Sequence, residues 1–69
     1  MITVWQRDQG AFVKGRGSRV LVVDAGCPHP VWSHAERAWV IAPKRISDVL
    51  ALAQHRHLAS EWLGRRDVI

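Results

Sequence analysis

The segment from Cys27 to His34 holds the residue types that most readily do chemistry. Its sequence, Cys-Pro-His-Pro-Val-Trp-Ser-His, supplies one thiol and two imidazoles, which are common zinc ligands. The spacing differs from the paired Cys and His arrangements of common zinc sites, and a fourth ligand would have to come from elsewhere. We therefore expect Cys27 to be a buried or half-buried thiol and His29 and His34 to be solvated, with zinc binding as the alternative.

Nucleophilic catalysis by the same thiol is the second chemistry to weigh. Cys27 with His29 or His34 would form a thiolate and its base. However, the sequence shows no acid placed to orient the histidine and no oxyanion-hole motif. A chain of 69 residues also has little room for a sequestered active site. We predict that the protein is not an enzyme and needs no cofactor.

The basic residues point to a different activity, the binding of a polyanion. The net charge is +4, from ten Lys and Arg against six acids, and eight of the ten are Arg. Arg forms bidentate contacts with phosphate and stacks on bases, so this bias suits nucleic acid. Codon usage in a high-GC genome would also favour Arg over Lys. The positive surface attracts polyanions whatever its origin.

The four tryptophans supply an aromatic surface that could accompany these charges. We predict that Trp39 and Trp62 pack in the core, whereas Trp32, in the Pro-rich loop, is exposed. An exposed Trp can stack on an unpaired base or anchor a protein interface. The predicted nucleic-acid-binding residues are Arg16, Arg19, Arg37, Lys44, Arg45 and Trp32, with Trp5 as a second ring for stacking.

Three short strands are predicted to position the first of these residues. They are Ile2 to Gln6, Ala11 to Lys14, and Arg19 to Asp24, whose apolar run Val-Leu-Val-Val is typical of a central strand. Turn residues at Asp8 to Gly10 and Gly15 to Ser18 would join them into an antiparallel meander. The second turn is a plain hairpin turn or, as the alternative, a basic tip that touches a nucleic-acid backbone.

The second half of the chain is predicted to add one strand and one amphipathic helix. Ala25 to His34 should lack regular structure because of its two prolines, and Glu36 to Ala42 should form a strand. Apolar residues at helical spacing predict a helix over Pro43–His57. Leu58 to Leu63 would form a short helix that Gly64 ends, or Ser60 would cap a separate turn. Arg65 to Ile69 is a tail or a fifth short strand.

The strand-to-helix segment from Arg37 to Leu50 resembles a known type of unit. Its pattern, Arg-x-Trp-Val-Ile-x-Pro-x-x-Ile-x-Asp-Val-Leu, is similar to small uncharacterised proteins of actinobacteria and their phages. It is also similar to the HARP domain of annealing helicases, where a strand bearing Trp leads into an amphipathic helix near DNA. The resemblance covers about a fifth of the chain, and the sequence contains no counterpart of the helicase ATPase motor. It implies a phage-type gene and carries over no functional residue.

These elements predict one α+β domain over residues 1–69. A small antiparallel sheet of three to four strands would carry the amphipathic helix on one face, followed by the short C-terminal helix. The opposite face would stay uncovered, which favours dimerisation or a partner. The predicted core is Val4, Val13, Val20, Val22, Val40, Ile46, Val49, Leu50, Ala53 and Leu63, with Trp39 beside them.

Two functional hypotheses follow. In the first, the protein is a small basic module that binds nucleic acid. In the second, it is a phage-type interaction module or effector that forms a homodimer or binds a host protein. One cysteine excludes an internal disulfide and suits a reducing cytoplasm. The chain has neither a signal-peptide pattern nor an apolar run of about 20 residues, so we expect a cytoplasmic protein without a membrane partner.

Overall fold

The computed structural model describes residues 1–8 and 10–65, which form a five-stranded mixed sheet with two helices on one face. The strand order is β3-β4-β2-β1-β5, in which β1 and β5 are parallel and the other pairs are antiparallel. The strands are β1 (Ile2–Arg7), β2 (Gly10–Lys14), β3 (Val31–Ser33), β4 (Ala38–Ile41) and β5 (Ser60–Arg65); the helices are α1 (Ser18–Asp24) and α2 (Ile46–His55).

The architecture is α+β, but the predicted antiparallel sheet with one main helix and a C-terminal helix is wrong. The hairpin of β1 and β2 forms where the sequence predicts it. Its alternation places Ile2 and Val4 against the helices, at 2% and 0% exposure, and Trp5 on the opposite face. The predicted third strand of the meander is absent from the described residues, because that segment is helical.

Residues 19–24 form most of α1 instead of a central strand. An unbroken apolar run has no period of its own, so it fits a buried strand or a helix equally well. As a helix it buries Ser18, Leu21 and Val22, at spacings of three and four, and leaves Val20 58% exposed. The predicted burial of Val20 is therefore wrong.

The segment before α1 is a helix entry and not the predicted hairpin turn. Gly17 adopts a left-handed conformation, with φ of 81°, directly before the helix. A Cβ at Gly15 would overlap the backbone carbonyl oxygen of Met1, so only glycine fits there. These two glycines let the chain turn sharply from the end of β2 into α1.

The Pro-rich segment contains a strand that the sequence does not predict. β3 covers Val31–Ser33 and pairs with β4 around the four-residue turn 34–37. In this turn the backbone N–H of Glu36 donates to Ser33 Oγ at 3.2 Å. β4 is shorter than the predicted 36–42, and Trp39 and Ile41 point towards the helices whereas Ala38 and Val40 point away from them.

The amphipathic helix is the element that the sequence predicts best. A 3₁₀ turn, Pro43–Arg45, leads directly into α2. Val49 and Ala53 are fully buried, and Ile46 and Leu50 pack beside them. The helix ends at His55, two residues before the predicted end. In the part of the chain that the structure describes, no helix combines the length and apolar character that a membrane span requires.

The predicted C-terminal helix is instead β5. Parallel strands need a crossover over the sheet, and α2 provides it between β4 and β5. β5 satisfies the outer edge of β1: Ile2 N–H donates to the Ala59 carbonyl at 2.8 Å, and Trp62 lies opposite Val4. Gly64, predicted to end a helix, has φ of 77° where β5 carries an extra residue in its register with β1. Positions 66–69 of the predicted tail lie outside the described residues.

The sheet has a large core under the helices and a smaller cluster on its other face. Five predicted core residues are buried in the large core: Val4, Val13, Val22, Val49 and Ala53. Trp39, Ile46 and Leu50 are partly buried against them. The smaller cluster contains Trp5, Phe12 and Ala38, with Val40 and Leu63 packed on it. Val40 and Leu63, predicted to belong to the same core as the other residues, instead pack on the smaller cluster.

Candidate nucleic-acid interface

One row of cross-strand neighbours runs across the whole sheet on the helix-bearing face. From one edge to the other, the paired positions are Trp32, Trp39, Val13, Val4 and Trp62. The two valines in the middle are fully buried, and Trp39 is half-buried. The two tryptophans at the ends are 42% and 45% exposed. The row therefore presents one accessible indole at each edge of the sheet.

At the β3 edge, two indoles and a guanidinium form a compact group. The rings of Trp32 and Trp39 meet edge to face, with centroids 4.9 Å apart and planes at 67°. The guanidinium of Arg19, on the first turn of α1, lies 5.9 Å from the centroid of the Trp39 ring. A cation at this distance from an indole is attracted by the electron-rich face of the ring. The helical entry at Gly17 is what brings Arg19 to this position.

These three side chains belong to an open groove of about 430 Å³, which we call the Trp groove. Its cations are Lys14 at the end of β2, Arg19 on α1 and Arg37 in the turn before β4. Gly15, Gly17, Ser18 and Val20 complete its wall, and no acidic side chain of the described residues lines it. The groove therefore combines an aromatic surface with positive charge from three separate elements.

Ion pairs elsewhere explain why the positive charge is concentrated here. Four acids each hold an arginine: Glu36 with Arg7 at 3.2 Å, Asp48 with Arg45 at 3.2 Å, Asp24 with Arg56 at 2.6 Å and Asp8 with Arg65 at 2.9 Å. Among residues 1–8 and 10–65, five cations lie beyond salt-bridge distance of any carboxylate: Lys14, Arg16, Arg19, Arg37 and Lys44. Three of the five line the Trp groove, and Arg16 lies between two of its glycines.

The structure brings together three of the six residues predicted to bind nucleic acid, and a fourth adjoins them in sequence. Trp32, Arg19 and Arg37 line the Trp groove, and Arg16 is exposed beside it. The other two, Lys44 and Arg45, lie in the 3₁₀ turn before α2. Arg45 pairs with Asp48 and lines a different depression, which also contains Asp24 and His55. The surface around Arg45 is therefore balanced in charge.

Sequence reasoning left out two contributors to the groove, Lys14 and Trp39. Lys14 is close in sequence to Arg16 and Arg19, but it is not among the residues predicted to bind nucleic acid. Trp39 was assigned to the core alone. The missing signal was the turn at 34–37: once it is recognised, antiparallel pairing places Trp32 directly opposite Trp39.

The predicted zinc alternative concerns Cys27, His29 and His34. Cys27 is a free, half-buried thiol packed beside the large core, and its backbone N–H donates to the Val22 carbonyl at 3.0 Å. His29 and His34 are exposed. Within the described ranges, no group of three or more His, Cys, Asp or Glu side chains is arranged to hold a metal ion.

The β5 edge has a different character. Trp62 and Leu58 are exposed there, at 45% and 40%. A shallow groove beside α2 at the same edge is lined by Leu50, Ala51, Leu58 and Ala59 with Ser, Gln and His side chains, and among the described residues no Lys or Arg lines it. Arg65, at the end of β5, is held by Asp8. Unlike the Trp groove, this groove therefore mixes apolar and polar residues without a described Lys or Arg.

Comparisons with known proteins give no assignment. No protein-family model, curated protein sequence or solved structure matches the chain. The resemblance of residues 37–50 to actinobacterial, phage and HARP-domain units stays a prediction.

Proposed function

We propose that the protein is a non-enzymatic module that binds nucleic acid through the Trp groove. Lys14, Arg19 and Arg37 would contact phosphates, and Trp32 would contact a base or sugar. Arg16 would add charge at the rim. This proposal replaces the wider set predicted from sequence, because Lys44 and Arg45 lie outside the groove.

The observation that carries the proposal is the separation of paired from unpaired cations. Four arginines are held by carboxylates, whereas the cations of the Trp groove have no carboxylate within salt-bridge distance among the described residues. If the basic residues were distributed over the surface at random, the cations without a carboxylate partner would not be expected to lie together around the most accessible aromatic pair, Trp32 and Trp39. Cations beside exposed aromatic rings are the usual means of binding the nucleic-acid backbone together with its bases.

The dependence on salt gives the first test. Each phosphate that a protein cation neutralises releases counterions, so the logarithm of affinity falls with the logarithm of salt concentration by about 0.7 per contact for single strands and about 0.9 for duplex DNA. Three groove cations predict a slope of roughly −2 to −3 by the same relation. Fluorescence anisotropy with labelled oligonucleotides over a salt series measures this slope directly.

Paired neutral substitutions locate the contacts. We expect Lys14→Gln and Arg37→Gln each to weaken binding and to reduce the salt slope by about 0.7–0.9. Lys44→Gln is the matched control, because Lys44 is also exposed and without a described carboxylate partner but lies before α2. If Lys44→Gln reduces the slope as much as Lys14→Gln, binding is not localised and the proposal fails.

A second candidate function is protein binding at the β5 edge. It is favoured by the exposed Trp62 and Leu58 and by the position of β5 as an edge strand. A second copy of this chain or another protein would cover this apolar surface. Such an interaction would survive high salt and be lost in Trp62→Ala. Sedimentation or pull-down at high salt with this variant distinguishes it from binding at the Trp groove.

A further inference from the structure

We infer that the ligand of the Trp groove is single-stranded nucleic acid, with one unpaired base stacked on Trp32 and the adjoining phosphates on Lys14 and Arg37. The inference rests on the proposed function and narrows it to one substrate class. Three features of the groove support it: the accessibility of the indole, the fixed position of its neighbours, and the lack of a helix suited to a duplex groove.

Trp32 is the accessible ring of the aromatic pair. It is 42% exposed at the edge of the sheet, whereas Trp39 is half-buried. A parallel stack would cover one full face of each ring, but these rings meet at 67°. Part of the Trp32 indole therefore remains open to a planar ligand. Stacking on an aromatic side chain needs only the flat face that every base has, so it tolerates different sequences.

The neighbours of Trp32 are held in place before any ligand binds. Trp39 is fixed between the large core, the ring of Trp32 and the guanidinium of Arg19. β3 itself is paired with β4 through three residue positions. A ring that is already oriented loses little conformational freedom on binding, which favours affinity. Arg19 thus acts as a positioning residue for the aromatic pair as well as a source of charge.

The size of the groove suits one nucleotide. Its volume of about 430 Å³ lies towards the lower end of the range of small-ligand sites, which is roughly 300–1,000 Å³. Lys14 ends β2 and Arg37 ends the turn before β4, and both line the groove with the aromatic pair. A nucleotide with its base on Trp32 would have cations available for its phosphates.

Neither helix offers a surface for reading a duplex. Insertion into the major groove requires an exposed helix face that carries base-contacting and phosphate-contacting side chains. α1 is seven residues long, has Arg19 as its one Lys or Arg, and exposes Val20. α2 contains no Lys or Arg, and its one acid, Asp48, is exposed. In a duplex the base faces are also covered by stacking, so Trp32 could not reach them.

The test compares four ligands of equal length, about ten nucleotides, which is within the usual site size of single-strand binders. They are a single strand, the same strand with abasic sugars, its blunt duplex, and inorganic polyphosphate as a polyanion without bases. Anisotropy or competition at one salt concentration gives the affinities. We expect the single strand to bind about tenfold or more tighter than each of the other three.

Substitutions of tryptophan connect this preference to one ring. Trp32→Ala should lower affinity for the single strand by about tenfold or more and leave affinity for polyphosphate within about twofold. Trp62→Ala, at the other end of the same row and equally exposed, should change neither. Trp32→Phe should retain most of the binding because it keeps a flat ring. If circular dichroism shows that Trp32→Ala is unfolded, two affinities still test the inference: that of Trp32→Phe for the single strand and that of the unsubstituted protein for the abasic strand.

The outcomes separate this inference from the function on which it rests. Equal binding of single strand, abasic strand and duplex, weakened by Lys14→Gln but unchanged by Trp32→Ala, would overturn the single-strand inference and leave polyanion binding in place. Affinity unchanged by Lys14→Gln and Arg37→Gln would overturn both.

Discussion

The two edges of the sheet carry the same residue in nearly the same state but in different surroundings. Trp32 on β3 and Trp62 on β5 end one row of cross-strand neighbours, face the same side and are 42% and 45% exposed. Around Trp32 are three cations without described carboxylate partners. Beside Trp62 the neighbouring Glu61 is exposed, and Arg65 at the end of the same strand is held by Asp8. An exposed indole alone therefore says little about a ligand; its charged neighbours distinguish the two edges.

The difference arises from where α1 begins. The glycines at positions 15 and 17 turn the chain from β2 into a helix whose first turn lies over the β3–β4 edge. This turn carries Arg16 and Arg19 to the Trp32 end of the row. At the other end, the groove between α2 and β5 is lined by apolar and uncharged polar residues together with His57. The same sheet can therefore present a basic aromatic surface at one edge and a groove without a described Lys or Arg at the other.

The largest effect should come from reversing charge in the Trp groove. The double variant Lys14→Glu, Arg37→Glu replaces two cations with two anions that repel phosphates. We expect affinity for a single-stranded oligonucleotide at low salt to fall by at least about a hundredfold. The control is Lys44→Glu, which adds a negative charge outside the Trp groove, in the 3₁₀ turn before α2, and should change affinity by less than about threefold. Equal losses in the two variants would mean that the edges do not differ in binding.

The next effect concerns the buried middle of the row, on which both edges depend. Val4 is fully buried between the strands and the helices, so Val4→Ala leaves a cavity. We expect the free energy of unfolding, measured by urea denaturation, to fall by about 2 kcal/mol. Trp62→Ala, at the exposed end, should cost less. A greater loss in Trp62→Ala would show that the β5 edge is structurally more important than its exposure indicates.

A smaller effect should come from adding a cation to the Trp groove. Val20 lines the groove and is 58% exposed, so Val20→Lys places an ammonium there without removing core packing. We expect severalfold tighter binding at low salt, a salt slope about 0.7 steeper for a single strand, and stability changed by no more than about 0.5 kcal/mol. If position 20 lay in a buried central strand, the same substitution would unfold the protein. Thermal denaturation checks stability and anisotropy checks binding.

The fold was predictable where periodicity is clear and was missed where it is ambiguous. The alternation of β1 and the spacing of α2 are readable from residues 2–6 and 46–53. The run Val20 to Val23 has no period, and only its packing over β2 and β4 makes it a helix. Residues 60–65 carry a mixed pattern, and the free edge of β1 makes them a strand. Such choices depend on tertiary contacts that a single sequence does not contain.

The candidate site was partly predictable for the same reason. Residue type alone indicated Trp32, Arg19 and Arg37, since arginines near an exposed indole suit nucleic acid. Residue type alone did not distinguish these cations from Arg45. The ion pair of Arg45 with Asp48, three residues later, nevertheless follows from helical spacing. The place of Lys14 in the groove depends on the pairing of β2 with β4, which sets Val13, the residue before it, opposite Trp39.

The central claim is that ligand binds at the Trp32 edge and not at the Trp62 edge, and NMR tests it most directly. The side-chain indole N–H signals of the four tryptophans report on both edges in one spectrum of the intact protein. During titration with a single-stranded oligonucleotide, we expect the signals of Trp32 and Trp39 to shift and those of Trp5 and Trp62 to stay in place. Shifts at Trp62 with none at Trp32 would contradict the account.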